Sequence, residues 1–150
     1  MSEATVDKAL DALELFVGEW TMIPGFLPNP AEAPGARTTF EWLTGKRFLV
    51  QRWEVDHPDA PDGIAIIGFD PATGACVQHY FDSRGVGREY EMTFANKVWT
   101  LQRLAAEPDF SQRFTGAFSD DGNTIAGRWD ISADGSSWDH DFDLTYTRVG

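Results

Sequence analysis

The feature that most constrains this chain is a series of short runs of alternating apolar and polar residues, which begins at Val17 and continues almost to the last residue. Each run is followed by a turn signal. The segment Asp70–Gly74 is typical of a tight turn, because its proline presets φ and its glycine accepts the left-handed conformation. Asp121-Gly122 is typical of a β-hairpin. About ten such strands with little helix between them predict an all-β protein, a single antiparallel up-and-down β-barrel.

A short helix is predicted ahead of the first strand, over about residues 4–16. Leu10, Leu13 and Phe16 recur every third residue and form one narrow apolar stripe. We expect this helix to cover one end of a barrel formed by residues 17–148. The chain has 150 residues, which is enough for one domain with a core that needs no disulfide or metal.

The turn signals divide the rest of the chain into ten predicted strands. These are Val17–Ile23, Thr38–Trp42, Arg47–Val55, Gly63–Phe69, Ala75–Phe81, Val86–Phe94, Lys97–Arg103, Phe110–Phe118, Thr124–Ile131 and Ser137–Arg148. The segment 24–35 contains four prolines, which lack the donor that a sheet requires. Long loops of this kind are often binding loops, so Phe26 and Leu27 are candidates to fold over the mouth of the barrel.

Composition restricts the partners and the compartment. The formal net charge of −12 argues against nucleic acid or an anionic membrane surface as a partner. No apolar stretch is long enough to span a membrane, and the N-terminal residues lack the features of a signal peptide. The one cysteine, Cys76, cannot form an internal disulfide, and no zinc-type cysteine spacing occurs. The sequence therefore predicts a cytoplasmic protein without a metal site, either a monomer or a homodimer.

Two motifs resemble known barrels. Gly18-Glu19-Trp20 resembles the Gly-x-Trp opening of lipocalin-like (calycin) barrels, in which the glycine permits close approach and the tryptophan closes the barrel floor. The segments 67–74 and 80–83 are similar to a bacterial family of unknown function with the same barrel, in which a Gly-(Tyr/Phe)-Asp turn and an aromatic-Asp-Ser strand end recur. The resemblance covers about residues 13–148. It implies a calycin-like barrel that binds ligands, but it implies no particular reaction.

Nitrobindin-type haem barrels are distant relatives within this resemblance. Their opening continues past the tryptophan with further glycines, whereas Trp20 is followed here by Thr21, Met22 and Ile23. No histidine matches their axial ligand by motif. No cofactor is therefore predicted, and haem is the alternative to test.

The faces of two strands place histidines in the predicted interior, because successive side chains of a strand point to opposite faces. In the last strand the alternation places His140 on the apolar face with Phe142, and it places the neighbouring aspartates in solvent. In the strand 75–81 the alternation places His79 inside with Phe81, and it places Gln78 and Tyr80 outside.

The same alternation selects three further polar residues. In the sixth strand Glu89 and Glu91 favour water, so Arg88 and Tyr90 are predicted to face the interior. Gln112 is predicted to face it from the eighth strand. An aromatic interior with a few convergent polar groups is typical of a small-molecule pocket. The predicted ligand-binding residues are His79, Arg88, Tyr90, Gln112 and His140.

Arg88 is the most informative of these residues, because an inward guanidinium requires a carboxylate partner. That carboxylate comes either from a ligand or from the protein. Glu54 is the candidate within the chain, and an Arg88–Glu54 pair would make the site structural.

Three functional hypotheses follow. The first is a binding protein for a small, mostly apolar ligand that carries an acidic or hydrogen-bonding group and lies in the barrel lumen. The alternative is a small enzyme on the same barrel with a lumen histidine, His140 or His79, as general base. The third is a barrel whose eleven phenylalanines fill its own interior and which acts through its surface.

Overall fold

A computed structural model describes residues 3–24, 36–55, 61–105 and 110–149. An α-helix, α1, covers Glu3–Ala12 and continues as a 3-10 helix over Leu13–Phe16. The predicted helix therefore changes type at residue 13. A 3-10 helix aligns residues i and i+3, and this alignment allows Leu13 and Phe16 to be buried together.

Ten antiparallel strands follow the helices and form one closed barrel. They are β1 (Gly18–Pro24), β2 (Arg37–Trp42), β3 (Phe48–Glu54), β4 (Gly63–Asp70), β5 (Ala75–Asp82), β6 (Gly87–Ala95), β7 (Val98–Arg103), β8 (Ser111–Phe118), β9 (Thr124–Ser132) and β10 (Asp139–Arg148). Each strand pairs with its neighbours in sequence, and β1 closes the barrel by pairing with β10 as well as β2. The predicted fold class is confirmed, and the architecture is compatible with a calycin-like barrel.

One end of the barrel, here called the floor, is filled by aromatic rings beneath the 3-10 helix. The ring of Phe16 lies 4.9 to 5.4 Å, centroid to centroid, from those of Phe40, Phe94, Trp99 and Phe118. Phe16 itself is fully buried. Contacts of this kind add to the free energy of burial, so the rings of the floor stabilise this end of the barrel.

Arg148, at the end of β10, packs against the floor. Its guanidinium lies 4.1 Å from the centroid of the Trp20 ring and donates hydrogen bonds to the carbonyl oxygens of Leu15 and Val17. These contacts join the end of β10 to the helical segment and to β1.

The opposite end, here called the mouth, is where β3, β5, β7 and β9 end. The segments 25–35, 56–60 and 106–109, and with them the predicted covering residues Phe26 and Leu27, lie outside the described residues. Within the described part of the chain, no helix has both the length and the apolar character needed to cross a bilayer.

Candidate functional site

The barrel encloses a cavity of about 350 Å³ between the floor and the mouth. Its wall is formed mainly by aromatic and aliphatic side chains, among them Trp53, Leu101, Phe114, Trp129 and Phe142. The third hypothesis requires an interior that is filled by the protein's own side chains. The cavity shows that the interior is not filled in this way. The volume falls within the range of about 300–1,000 Å³ that is typical of small-molecule pockets.

The cavity opens to solvent at the mouth. Arg84 lies in the turn between β5 and β6 and contributes to the cavity wall, although 56% of its side chain is exposed. Val55 and Pro61, which flank the β3–β4 connection, also line the cavity at this end. A ligand would therefore enter from the mouth, because the floor is closed by packed rings.

Three of the five predicted site residues meet inside the cavity. The Tyr90 hydroxyl on β6 donates a hydrogen bond of 2.6 Å to the side-chain oxygen of Gln112 on β8, and the Arg88 guanidinium donates one of 3.3 Å to the same oxygen. Arg88 also lies 5.0 Å from the centroid of the Phe110 ring. The predicted inward orientation of Arg88, Tyr90 and Gln112 is confirmed.

Arg88 has no carboxylate within ion-pair distance among the described residues. The alternative of an Arg88–Glu54 pair is not observed, because Glu54 is exposed on the outer surface and lies opposite Arg37 in the β2–β3 register. Arg88 therefore presents its charge to an apolar cavity, and its partners in the described part of the chain, Gln112 and Phe110, are neutral.

A second polar cluster at the mouth was not predicted from the sequence. The Asp82 carboxylate accepts hydrogen bonds from the Tyr80 hydroxyl at 2.6 Å and from Nη2 of Arg84 at 2.7 Å, and its side chain is fully buried. Burial disfavours the charged form of Asp82, but the hydrogen bonds from Arg84 and Tyr80 outweigh it and lower the pKa to about 2. The signal in the sequence is the spacing Tyr80-x-Asp82-x-Arg84, which places all three groups at one strand end.

The phenols of the cavity remain protonated at neutral pH. Burial raises the pKa of Tyr80, Tyr90 and Tyr146, and the hydrogen bond to Asp82 raises that of Tyr80 further. Each of these groups is therefore a neutral hydrogen-bonding partner.

The cavity wall also contains polar side chains that have one hydrogen-bond partner or none among the described residues. Gln51 donates a hydrogen bond of 3.2 Å to the Thr38 hydroxyl. The side-chain oxygen of Gln78 and the indole nitrogen of Trp99 have no hydrogen-bond partner among the described residues.

His79 does not face the cavity, so its predicted orientation is wrong. Cross-strand neighbours share a face, and the inward residues of β5 are Gln78, opposite the fully buried Ile67, and Tyr80, opposite the fully buried Ala65. His79 consequently lies outside with Phe81, which is 47% exposed. Apolar residues occur on both faces of this strand, so its pattern did not identify the buried face.

His140 is also on the outer surface, and the cause is a β-bulge. The register between β10 and β9 shifts between His140 and Phe142, so that Asp141 is an extra residue. Phe142 faces the cavity as predicted, whereas His140 faces outward with its Nε2 2.9 Å from an oxygen of Asp143. The expectation that the aspartates face away from His140 is therefore wrong for Asp143.

The enzyme hypothesis required His140 or His79 as a general base inside the barrel. Both imidazoles lie on the outer surface, so neither can serve as that base. They are equally unable to serve as axial ligands for a haem in the cavity, and His57 lies outside the described residues. Within the described ranges, no three His, Cys, Asp or Glu side chains form a group that could hold a metal ion.

The fold and the site define a closed ten-stranded antiparallel barrel with a solvent-accessible, largely aromatic internal cavity. Comparison with known proteins finds no matching family model and no match among curated proteins.

Proposed function

We propose that this barrel is a binding protein for a small, mostly apolar molecule that carries an acidic or hydrogen-bonding group. The observation that carries the proposal is the guanidinium of Arg88, which enters an apolar cavity with an amide and an aromatic ring as partners but no described carboxylate. A cytoplasmic location is part of the same proposal.

The apolar part of the ligand would supply most of the affinity. Aromatic side chains such as Trp129, Phe114 and Phe142 line the wall, and apolar area removed from water contributes roughly 25 cal/mol per Å². The closed floor supports a ligand held within the barrel and not one that passes through it.

The polar part of the ligand would be oriented by the Arg88–Tyr90–Gln112 network. Gln112 accepts hydrogen bonds from both partners, so its amide nitrogen remains to donate to a ligand. Hydrogen bonds from a guanidinium to an anion are roughly twice as strong as neutral ones, which favours an acidic group at this position.

The proposal is tested by isothermal titration calorimetry of the purified full chain with decanoate and with 1-decanol, two probes with the same apolar chain. At least one of them is expected to bind with one molecule per barrel. Absence of binding by both probes would contradict the proposal.

Two matched variants locate the site. Leu101 is buried in the cavity wall of β7 and Gln102, beside it, is exposed on the outer surface. Leu101→Trp places a larger ring in the space that the ligand would occupy and is expected to weaken binding by about tenfold or more, equivalent to about 1.4 kcal/mol. Gln102→Trp adds the same ring outside and is expected to leave binding unchanged.

A further inference from the structure

We infer that the cavity selects a monoanion, specifically a carboxylate on an apolar chain or ring, and holds the charged end at the mouth near Arg84 and Arg88. This inference rests on the proposed binding function and narrows the class of ligand. It follows from a comparison of the charges that the described residues place along the cavity.

The described cavity wall contains two cations and no carboxylate. The cations are Arg84 and Arg88, and the other ionisable groups in the wall are the phenols of Tyr80, Tyr90 and Tyr146. The phenols carry no charge at neutral pH, because burial raises their pKa. The balance of charge therefore depends on the two guanidinium groups and on the carboxylates that pair with them.

Asp82 cancels one of these two charges. It accepts hydrogen bonds from Nε of Arg84 at 3.2 Å and from Nη2 at 2.7 Å, so Arg84 and Asp82 form a neutral pair. Because this pair occupies one edge of the guanidinium, the other edge of Arg84 remains to donate to a ligand. Arg88 has no such partner among the described residues, so the charges described in and behind the cavity wall leave one positive unit uncompensated.

A ligand with one negative charge neutralises the described charges of the cavity, whereas any other charge leaves an imbalance among them. A neutral ligand leaves the Arg88 charge uncompensated, a cation adds repulsion, and a dianion places an excess negative charge in an apolar site. The local positive charge is opposite in sign to the whole chain, whose formal net charge is −12. It is therefore not a consequence of overall composition.

The orientation of the ligand follows from the positions of the two arginines. Arg84 lies in the β5–β6 turn and Arg88 is the second residue of β6, so both belong to the mouth end. Trp99 and Phe114 lie towards the floor, where their rings stack edge to face at 4.8 Å. The apolar part of the ligand would point towards these rings.

The experiment is calorimetry with four probes that share a decyl chain and differ in charge: decanoate, 1-decanol, decylammonium and decyl phosphate, which is a dianion at pH 8. Decanoate is expected to bind most tightly, by about 10–100-fold over 1-decanol, since a hydrogen bond to a charged group contributes about 1.5–3 kcal/mol. Equal affinities for decanoate and 1-decanol would overturn the inference but leave the proposed function intact.

Variants separate the two arginines. Arg88→Gln is expected to remove the preference for decanoate over 1-decanol. Arg52→Gln is the control, because Arg52 is exposed on the outer surface and pairs with Glu41. A preference that survives Arg88→Gln in a variant with the wild-type circular dichroism spectrum would contradict the inference. If that variant does not fold, the four-probe series on the wild-type chain decides.

Asp82→Asn tests the balance of charge directly. Without the carboxylate, both guanidinium groups are uncompensated, so decyl phosphate is expected to gain affinity relative to decanoate by about tenfold, equivalent to 1.4 kcal/mol. An unchanged ratio of the two affinities would overturn the inference that Asp82 sets the charge of the cavity.

Discussion

At the scale of single residues, the environment of Asp82 shows how burial and hydrogen bonding oppose each other. Burial alone would raise the pKa of a carboxyl group and favour its neutral form. Here Tyr80, Nη2 of Arg84 and the backbone N–H of Arg84 all donate to the same carboxylate, and the pKa falls to about 2. The charged form of Asp82 is therefore the form that holds Arg84 at the cavity mouth.

The lowered pKa predicts a specific pH dependence of stability. A carboxyl group with a folded-state pKa of about 2, below its usual 3.8, stabilises the fold above about pH 4 and loses that contribution as the pH falls towards 2. Asp82→Asn is expected to lower the free energy of unfolding by about 1–2 kcal/mol at pH 6, and the difference from wild type is expected to shrink by pH 3. Urea unfolding at pH 6, 4 and 3 measures it.

The matched control is Asp120→Asn, at an exposed carboxyl group in the β8–β9 turn. Its effect on the free energy of unfolding is expected to be small and the same at each pH. A destabilisation by Asp82→Asn that is constant from pH 6 to pH 3 would contradict the assigned role of the carboxylate.

At the scale of single elements, the alternation of a strand predicts its buried face only when the two faces differ in polarity. In β6 the acidic residues Glu89 and Glu91 mark the solvent face, and Arg88 and Tyr90 were correctly predicted inside. In β5 both faces carry apolar residues, and the register with the buried residues of β4 determines the face. That register is a property of the closed barrel and is not visible in the eight residues of the strand.

The bulge in β10 limits prediction in another way. Strict alternation from Tyr146 back to Phe142 is observed, and one extra residue then reverses the faces of everything before it. No residue type in this segment marks the bulge. The predicted orientation of His140 is therefore wrong, although the predicted strand itself is confirmed.

Deletion of Asp141 is predicted to remove the bulge and to leave His140 on the outer surface, because His140 and Phe142 already lie opposite the adjacent β9 residues Asp130 and Trp129. Modification with diethyl pyrocarbonate followed by peptide mass spectrometry measures the exposure of each histidine. His140 is expected to react in the wild-type chain and to react to a similar extent in the deletion variant. His79, which is exposed on β5, serves as the internal reference, and a several-fold loss of His140 reactivity relative to His79 would contradict the assignment of Asp141 as the bulge residue.

At the scale of the whole molecule, the barrel separates a packed floor from a cavity at the mouth end. The sequence contains eleven phenylalanines, enough to suggest that the interior is filled, but they are distributed among different environments. Four of them, Phe16, Phe40, Phe94 and Phe118, pack at the floor, Phe110, Phe114 and Phe142 line the cavity, and Phe48 and Phe81 are exposed. The closed barrel and the polar network were predictable from local patterns, whereas the cavity depends on how distant strands meet.

This division predicts that the same substitution has different consequences at the two ends. Leu13, the first residue of the 3-10 helix, is 1% exposed, whereas Leu144 is half-buried in the cavity wall. Leu13→Ala is expected to lower the free energy of unfolding by about 3–5 kcal/mol, because it removes a methyl-rich side chain from a close-packed region. Leu144→Ala only enlarges an existing cavity and is expected to cost about 1–2 kcal/mol. Urea unfolding at neutral pH measures both, and calorimetry with decanoate is expected to show altered binding for Leu144→Ala alone. Equal destabilisation by the two variants would contradict the division, because it would mean that the wall of the cavity is packed as tightly as the floor.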